Sequence, residues 1–511
     1  MAGRSTSVWA NIGFGVGIAA HLIFAISLPT GILNPLFVEA VEGHGQASDF
    51  YGIYQAGANL LGGYSVYDRA DYRAEAPQVV PFYYYYRYLP PTAYVAALGA
   101  LCLPPKAAYW VWVGIVELLL LATVVSLLRW RVFPRHRRLL LAGLWLGFFP
   151  YYIEQIMGQY SLLMAVLLWM LWRYDAIEPV GTHTGWGDFR DAGDPRDAGD
   201  ARDAGDARNG RNGRIADTGD QPHSRNAPGS RWSLAWIVPL SPLRQRWRDY
   251  RWSADRVADI PRHGKQAYTG WLAWVASVVI KSYTALLALP YLRDARLKRV
   301  LAAAVLSAAV SLPYFLWRPD DVVEFLRLNF APFPPRVYKG AMGLQTWLQD
   351  LSAQHAEVFG TVLLRLGDRC LTPGNLLMLG ASGAVLLIAA WATLQASGHR
   401  HRRAFDLAIW TTAFFLIFKS VWEYHYVMML PAISAVYLVT GRRWAFVLGV
   451  LLGLPTLYAL TPVLTGAEAS AALESWPGWF RSLHFSVKAA PTLFFFLGCI
   501  VALRRGAFAG R

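Results

Sequence analysis

The chain has 511 residues, is 55% hydrophobic and 16% charged, and carries a formal net charge of +15. Its mean hydropathy of +0.29 is higher, and its charge content lower, than soluble domains show; several runs reach the ~20 apolar residues that cross a bilayer. These features exclude an ordinary soluble enzyme and predict an all-α polytopic membrane protein. Basic residues stand just beyond the apolar runs, which fits cytoplasmic loops and anionic headgroups rather than nucleic acid. The cysteines Cys102, Cys370 and Cys499 have neither zinc spacing nor a disulfide framework.

Val8 to Leu28 reads as a retained transmembrane helix, and Arg4 before it predicts a cytoplasmic N-terminus. The segment 30–105 is then external. Its stretch 48–91, from SDFYGIYQAGANLLGGYSVYD to PFYYYYRYLPP, is too polar and too broken by Gly and Pro to span. Its tyrosines suit the membrane–water interface. Asp49 opens this stretch, and two roles are open to it by residue type: the cap of a short amphipathic helix from Phe50 to Leu61, or chemistry. Pro91 to Leu103 covers about half a span and reads as interfacial or re-entrant. Lys106 to Leu128 crosses and ends in RWRVFPRHRR (129–138), a cytoplasmic marker. Leu139 to Ile156 returns outward and Met157 to Trp172 comes back. Their join places Glu154, Gln155 and Gln159 at the outer face, as a protein-facing polar cluster or as an ordinary wet loop.

Composition changes over 175–266. The repeat RDAGDP-RDAGDA-RDAGDA-R (190–208) has almost nothing to bury and predicts disorder in a cytoplasmic insert. Trp232 to Trp252, rich in Trp and Arg, suits the inner membrane surface. Tyr268 to Ile280 and Thr284 to Leu292 form a short broken hairpin with KSY (281–283) at its tip. Lys281 there must face water, an acid or an anion, or snorkel to headgroups. Val300 to Trp317 leads to a second folded external loop, 318–370. Leu376 to Leu394, Phe405 to Phe418, Val421 to Val439, Trp444 to Leu464 and Ala489 to Leu503 complete the set, with KSVWEYHY (419–426) at the outer face. The expected arrangement is a 1–174 transmembrane part with its external loop, the 175–266 insert and a 267–511 transmembrane part. It has about 11–12 membrane segments and both termini cytoplasmic.

Four outer-face features collect carboxylates and cations among aromatics: Asp49; Glu154 with Gln159; Lys281 with Tyr283; and Lys419, Glu423 and His425. Cations of this kind can hold an anionic lipid phosphate, and a carboxylate can take a proton from an attacking hydroxyl. No P-loop, GxGxxG-opened helix, HExxH or GxSxG occurs, which disfavours a nucleotide-driven enzyme.

At these residues the chain resembles glycosyltransferase family 87, over most of its length outside 175–266. The likeness is carried by Asp49-Phe50-Tyr51, the small-residue stretch AGANLLGG, Tyr67-Asp68, and Tyr88 with Pro90 and Pro91. It continues at Gly158-Gln159, Lys281, and Trp422 with His425. Leu344-Gln345-Thr346 stands where the family often has Asn-Gln-Ser, and Ser282 where it often has Pro. The resemblance implies a GT-C bundle in the plasma membrane. It would move a sugar, mannose or a related hexose or pentose, from a polyprenyl-phosphate donor to a lipid or glycan acceptor at the outer face, with no metal and no other cofactor. It implies an inverting transfer with Asp49 as general base. Lys281 and His425 would compensate charge on the departing phosphate, and Tyr283, Gln159, Gln345, Tyr88 and Glu423 would position substrate. Two other classes remain open: a lipid or glycan transporter or flippase, and a glycan ligase using a polyprenyl-pyrophosphate donor.

Overall fold

The computed structural model describes residues 2–33, 46–69, 74–175, 264–330, 341–366, 369–396, 399, 401–456 and 475–508, all within one compact unit. The protein is mostly helical, 79%, and one antiparallel hairpin pairs β1 (Leu364–Leu366) with β2 (Arg369–Leu371). The predicted 175–266 insert lies outside the described residues except at its edges. There Asp175 closes one helix and Gly264 opens the next.

The first half holds α1 (Ala2–Thr30), α2 (Ser48–Leu61), α3 (Pro90–Cys102), α4 (Pro105–Arg129), α5 (Arg135–Leu146), α6 (Phe149–Met157) and α7 (Ser161–Asp175). The second holds α8 (Gly264–Ile280), a 3-10 turn (Ser282–Leu287), α9 (Ala288–Arg293), α10 (Leu297–Trp317), α11 (Asp320–Phe330) and α12 (Leu344–Gln354). A single turn at Ala356–Phe359 and the hairpin lead to α13 (Pro373–Gln395) and α14 (Arg402–Ile417). A second 3-10 turn (Glu423–Met428), α15 (Met429–Thr440), α16 (Arg443–Gly453) and α17 (Gly478–Phe508) follow.

Among the described residues six helices are long and apolar enough to cross a membrane: Ser7–Thr30, Pro105–Arg129, Arg135–Met157, Leu297–Trp317, Pro373–Gln395 and Gly478–Arg504. Four shorter apolar helices, of 10–17 residues, accompany them. The expected arrangement of about 11–12 membrane segments is met in part: several of the apolar runs are short or broken helices. The run 139–156 is divided at Gly147 and Phe148 between α5 and α6. Pro150, in the first turn of α6, has no N–H with which to continue the ladder of α5. The runs expected over 284–292 and 421–439 each begin as a 3-10 turn. Within 30–105, α2 packs on α3.

α14 and α15 form the centre. Every residue from Ala404 to Leu416 and from Met429 to Leu438 is buried, and Trp145 of α5 donates its indole N–H to Ser434 Oγ at 2.9 Å. The periphery is the reverse. Only 28%, 28%, 17% and 28% of the spans in α1, α4, α10 and α13 is buried, so they show water-incompatible side chains such as Val16, Leu118, Val305 and Leu387 outward. A bilayer is the solvent that removes this apolar surface from water.

α1 docks on α5 through backbone contact. A Cβ on Gly17 would lie 2.3 Å from Gly143 O, and one on Gly143 would lie 2.5 Å from Gly13 O. Small residues four apart on both helices permit this approach. Gly143→Leu should therefore lower thermal stability in detergent by several degrees or displace α1, since overpacking costs about 1–3 kcal/mol or more. Gly15→Leu is the control: nothing lies within 4 Å of its Cβ position, and it should melt with the wild type. Equal melting of both variants would contradict the packing.

Candidate functional site

The site begins where α2 meets the α6–α7 joint. Ala47 precedes α2 in the left-handed region (φ 74) and makes no side-chain cap; its N–H donates to Ile156 O at 2.7 Å. Asp49 is thus inside the first turn rather than the N-cap, so the capping role open to it by sequence does not apply. Gly158, at φ 71, closes α6, and a Cβ there would stand 2.4 Å from Phe50 Cβ. That contact brings the next residue of one segment against the preceding residue of the other: Gln159 Nε2 donates to Asp49 Oδ2 at 2.5 Å. Gln159 Oε1 in turn accepts from the Tyr88 hydroxyl at 2.7 Å. The tyrosine-rich loop is thereby tied to the carboxylate through one amide.

Asp49 is half-buried by surface, and desolvation pushes its carboxyl above the ordinary range. The Gln159 hydrogen bond, the charges of Arg87 and Lys281 and the Tyr424 hydroxyl pull the other way. The first-turn position also favours a negative charge through the helix dipole. Lys281 follows α8, and its Nζ lies 5.8 Å from the centroid of the Tyr88 ring. Burial pushes this ammonium down to about 8, against the pull of Glu154 and then Asp49. Neither carboxylate pairs with it directly. Glu154 instead accepts the Leu162 N–H at the start of α7, which is a helix-capping role.

His425 sits in the second 3-10 turn. Trp422 N–H donates to its Nδ1 at 3.0 Å, which puts the imidazole proton on Nε2. Burial first, then Lys281 and Arg87, hold His425 well below the usual imidazole range, so it offers a neutral N–H donor at neutral pH. Its neighbour Tyr424 is buried, and its hydroxyl favours the charged form of Asp49.

The structure therefore gathers Asp49, Gln159, Tyr88, Lys281 and His425 from separate parts of the chain. Tyr283 lies close by, stacked on Phe414 with ring centroids 3.8 Å apart, at an apolar pocket lined by Leu168, Leu286, Trp410, Phe414 and Met428. Two expected positioning residues are engaged elsewhere. Gln345 Nε2 donates to Leu416 O at 3.1 Å and Ser382 Oγ at 3.0 Å, joining helices. Glu423 accepts from Thr456 Oγ1 at 3.0 Å and lies 3.5 Å from Lys488 Nζ. Three residues were missed by sequence reasoning: Arg87 and Tyr424, which act on Asp49, and Lys488 inside α17. Arg87 left a signal as the lone cation of YYYYRY; Lys488 lies in an apolar run and left none. Among the described residues no three His, Cys, Asp or Glu side chains are gathered as a metal ion would need.

Lys488 also donates to Leu452 O at 2.6 Å and to Leu454 O, so it fastens the end of α16 and the turn bearing Tyr424 and His425 to the last helix. Lys488→Met should destabilise the protein by roughly 3–5 kcal/mol, because it strands a buried carboxylate. Adding Glu423→Gln should return part of that loss in thermal unfolding. Additive losses in the double variant would contradict the pairing.

Comparison of the chain with family models, curated proteins and solved structures found no match.

Proposed function

We propose that the protein is an integral-membrane glycosyltransferase of GT-C type that takes a sugar from a polyprenyl-phosphate donor and transfers it, with inversion, to a lipid or glycan hydroxyl at the outer face of the plasma membrane. One observation carries this reading. A carboxylate whose charged form is disfavoured by burial, Asp49, shares a site with a buried ammonium, Lys281, and a neutral imidazole, His425, yet pairs directly with neither. Perturbed acids and bases held apart in one place mark catalytic machinery more often than structural ion pairs do. The motif resemblance to glycosyltransferase family 87 points the same way.

In this mechanism the acceptor oxygen forms its bond to the anomeric carbon from the face opposite the phosphate. Its proton passes to Asp49. The bond from that carbon to the phosphate oxygen breaks, and the electron pair leaves on the phosphate. Lys281 supplies positive charge and His425 an Nε2–H donor to that growing charge. A raised carboxylate makes a better base than an ordinary one, provided it is still ionised at the working pH. Gln159 and Tyr88 hold Asp49 in one rotamer.

Asp49→Asn tests the base. Asn keeps the shape and the bond from Gln159 but cannot take the proton, so turnover of a polyprenyl-phosphate sugar by purified protein should fall at least ~10²-fold with donor binding intact. Stability should move in the opposite direction. The folded-state pKa of Asp49 lies above its ordinary value of 3.8, so the buried charge destabilises the native state fully above the folded pKa. That penalty is relieved as pH falls through it. Asp49→Asn should accordingly melt higher than wild type at pH 7, and the difference should shrink toward pH 4. Normal turnover by this variant would remove Asp49 as base.

A further inference from the structure

Arg87 is the residue of this region whose presence the mechanism leaves unexplained. It is exposed, yet it is held. Its guanidinium lies 4.3 Å from the Tyr85 ring centroid, Arg69 lies 4.3 Å from the same centroid, and Arg87 also donates to the Tyr85 hydroxyl. Its backbone carbonyl accepts from Asn329 Nδ2 at 3.0 Å, tying this turn to α11. Among the described residues it makes no ion pair, and neither does Lys281.

The charge of Arg87 nevertheless reaches Asp49, Tyr88, Tyr424 and His425. It also helps burial to hold Lys419, beyond the end of α14, below its ordinary range. Arg87 and Lys281, cations from two separate elements, thus converge on one carboxylate, Asp49, while Glu154 is turned to the start of α7. The fold holds like charges together that a bound anion would reconcile. An arginine is well made for binding such an anion. Its planar fork meets a phosphate through two donors, and it stacks on an aromatic ring without losing them.

We propose that Arg87 is the solvent-side arm of an anion seat that closes with Lys281 on a lipid phosphate monoester. This rests on the phosphate-donor reading and adds a binding residue to it. Stacking on Tyr85 holds the guanidinium at the rim. Lys281 meets the same phosphate from the buried side, next to the apolar pocket at Tyr283.

The test uses full-length protein in phosphatidylcholine nanodiscs, with farnesyl phosphate, farnesol and inorganic phosphate as calorimetric titrants. Arg87→Ala removes an exposed side chain, so the variant should fold. Its affinity for farnesyl phosphate should drop about tenfold, with Arg87→Lys retaining part of it. Farnesol binding should not change. Raising salt should weaken farnesyl phosphate binding less in Arg87→Ala than in wild type. Wild-type affinity for farnesyl phosphate in Arg87→Ala overturns the proposal. Equal wild-type affinity for inorganic phosphate and farnesyl phosphate overturns the lipid source. A wild type that binds neither overturns both the seat and the donor reading. Arg87-dependent farnesyl phosphate binding without sugar transfer from any polyprenyl-phosphate donor supports the seat and removes the transferase.

Discussion

A charge buried among apolar helices loses several kcal/mol of hydration, and protein atoms must replace what water supplied. This chain meets that demand in two ways. Arg293 grips Asp406 with Nη1 at 3.0 Å and Nη2 at 2.8 Å, and bonds Asp294 through Nε at 2.9 Å, while Arg403 completes Asp294 at 2.8 Å. Lys488 is likewise enclosed by two carbonyls and a carboxylate. In both, every charge has its counter-charge in direct contact, and the product is a fastening between helices. Around Asp49 the same kinds of group are present but stay apart, bridged by neutral amides and hydroxyls. Incomplete pairing is what sets the Asp49 cluster apart from these two fastenings.

The neutral bridges matter because the site is assembled from distant segments. The first loop is seated by Ser65 donating to Asp321 and by Val66 N–H donating to the Tyr314 hydroxyl at 2.9 Å. Across the site, Met342 N–H donates to Val421 O at 2.6 Å and the Tyr426 hydroxyl to Met342 O at 3.0 Å. These bonds hold the turn of Tyr424 and His425 against the segment before α12. The segments that carry Asp49 and His425 are therefore tied by their backbones to other elements, through Ala47 N–H to Ile156 O and Met342 N–H to Val421 O, which makes them rigid supports.

Asp49, Gln159, Lys281 and His425 were collected in the sequence because each lies at a break between apolar runs and the expected alternation of those runs puts the breaks on one side. What the breaks do not encode is side-chain direction. Glu423 and His425 are two residues apart in one 3-10 turn, yet one turns to Lys488 and the other toward Lys281. Gln345 matched a motif position but commits its amide to Leu416 and Ser382. Helix breaks went unread for a different reason. Hydropathy does not distinguish a helix from a 3-10 turn or a Pro-divided pair, so 139–156, which lies within one span, did not show its break at Gly147 and Phe148. The glycines of α1 and α5 went unread because close approach is a property of two segments, and neither shows it alone.

That α1–α5 contact bears on how the chain is made. α1 is synthesised before α5, and the backbone it lies against emerges more than a hundred residues later; Glu117, which meets His21 at 2.6 Å, follows that histidine by 96 residues. Until then α1 must persist as a single apolar helix in lipid, with its glycine face uncovered. Its docking is a lateral event between two inserted helices, driven by close packing and one hydrogen-bonded pair instead of by exclusion from water. α1 is thus placed by a helix that follows it, and not by its own insertion.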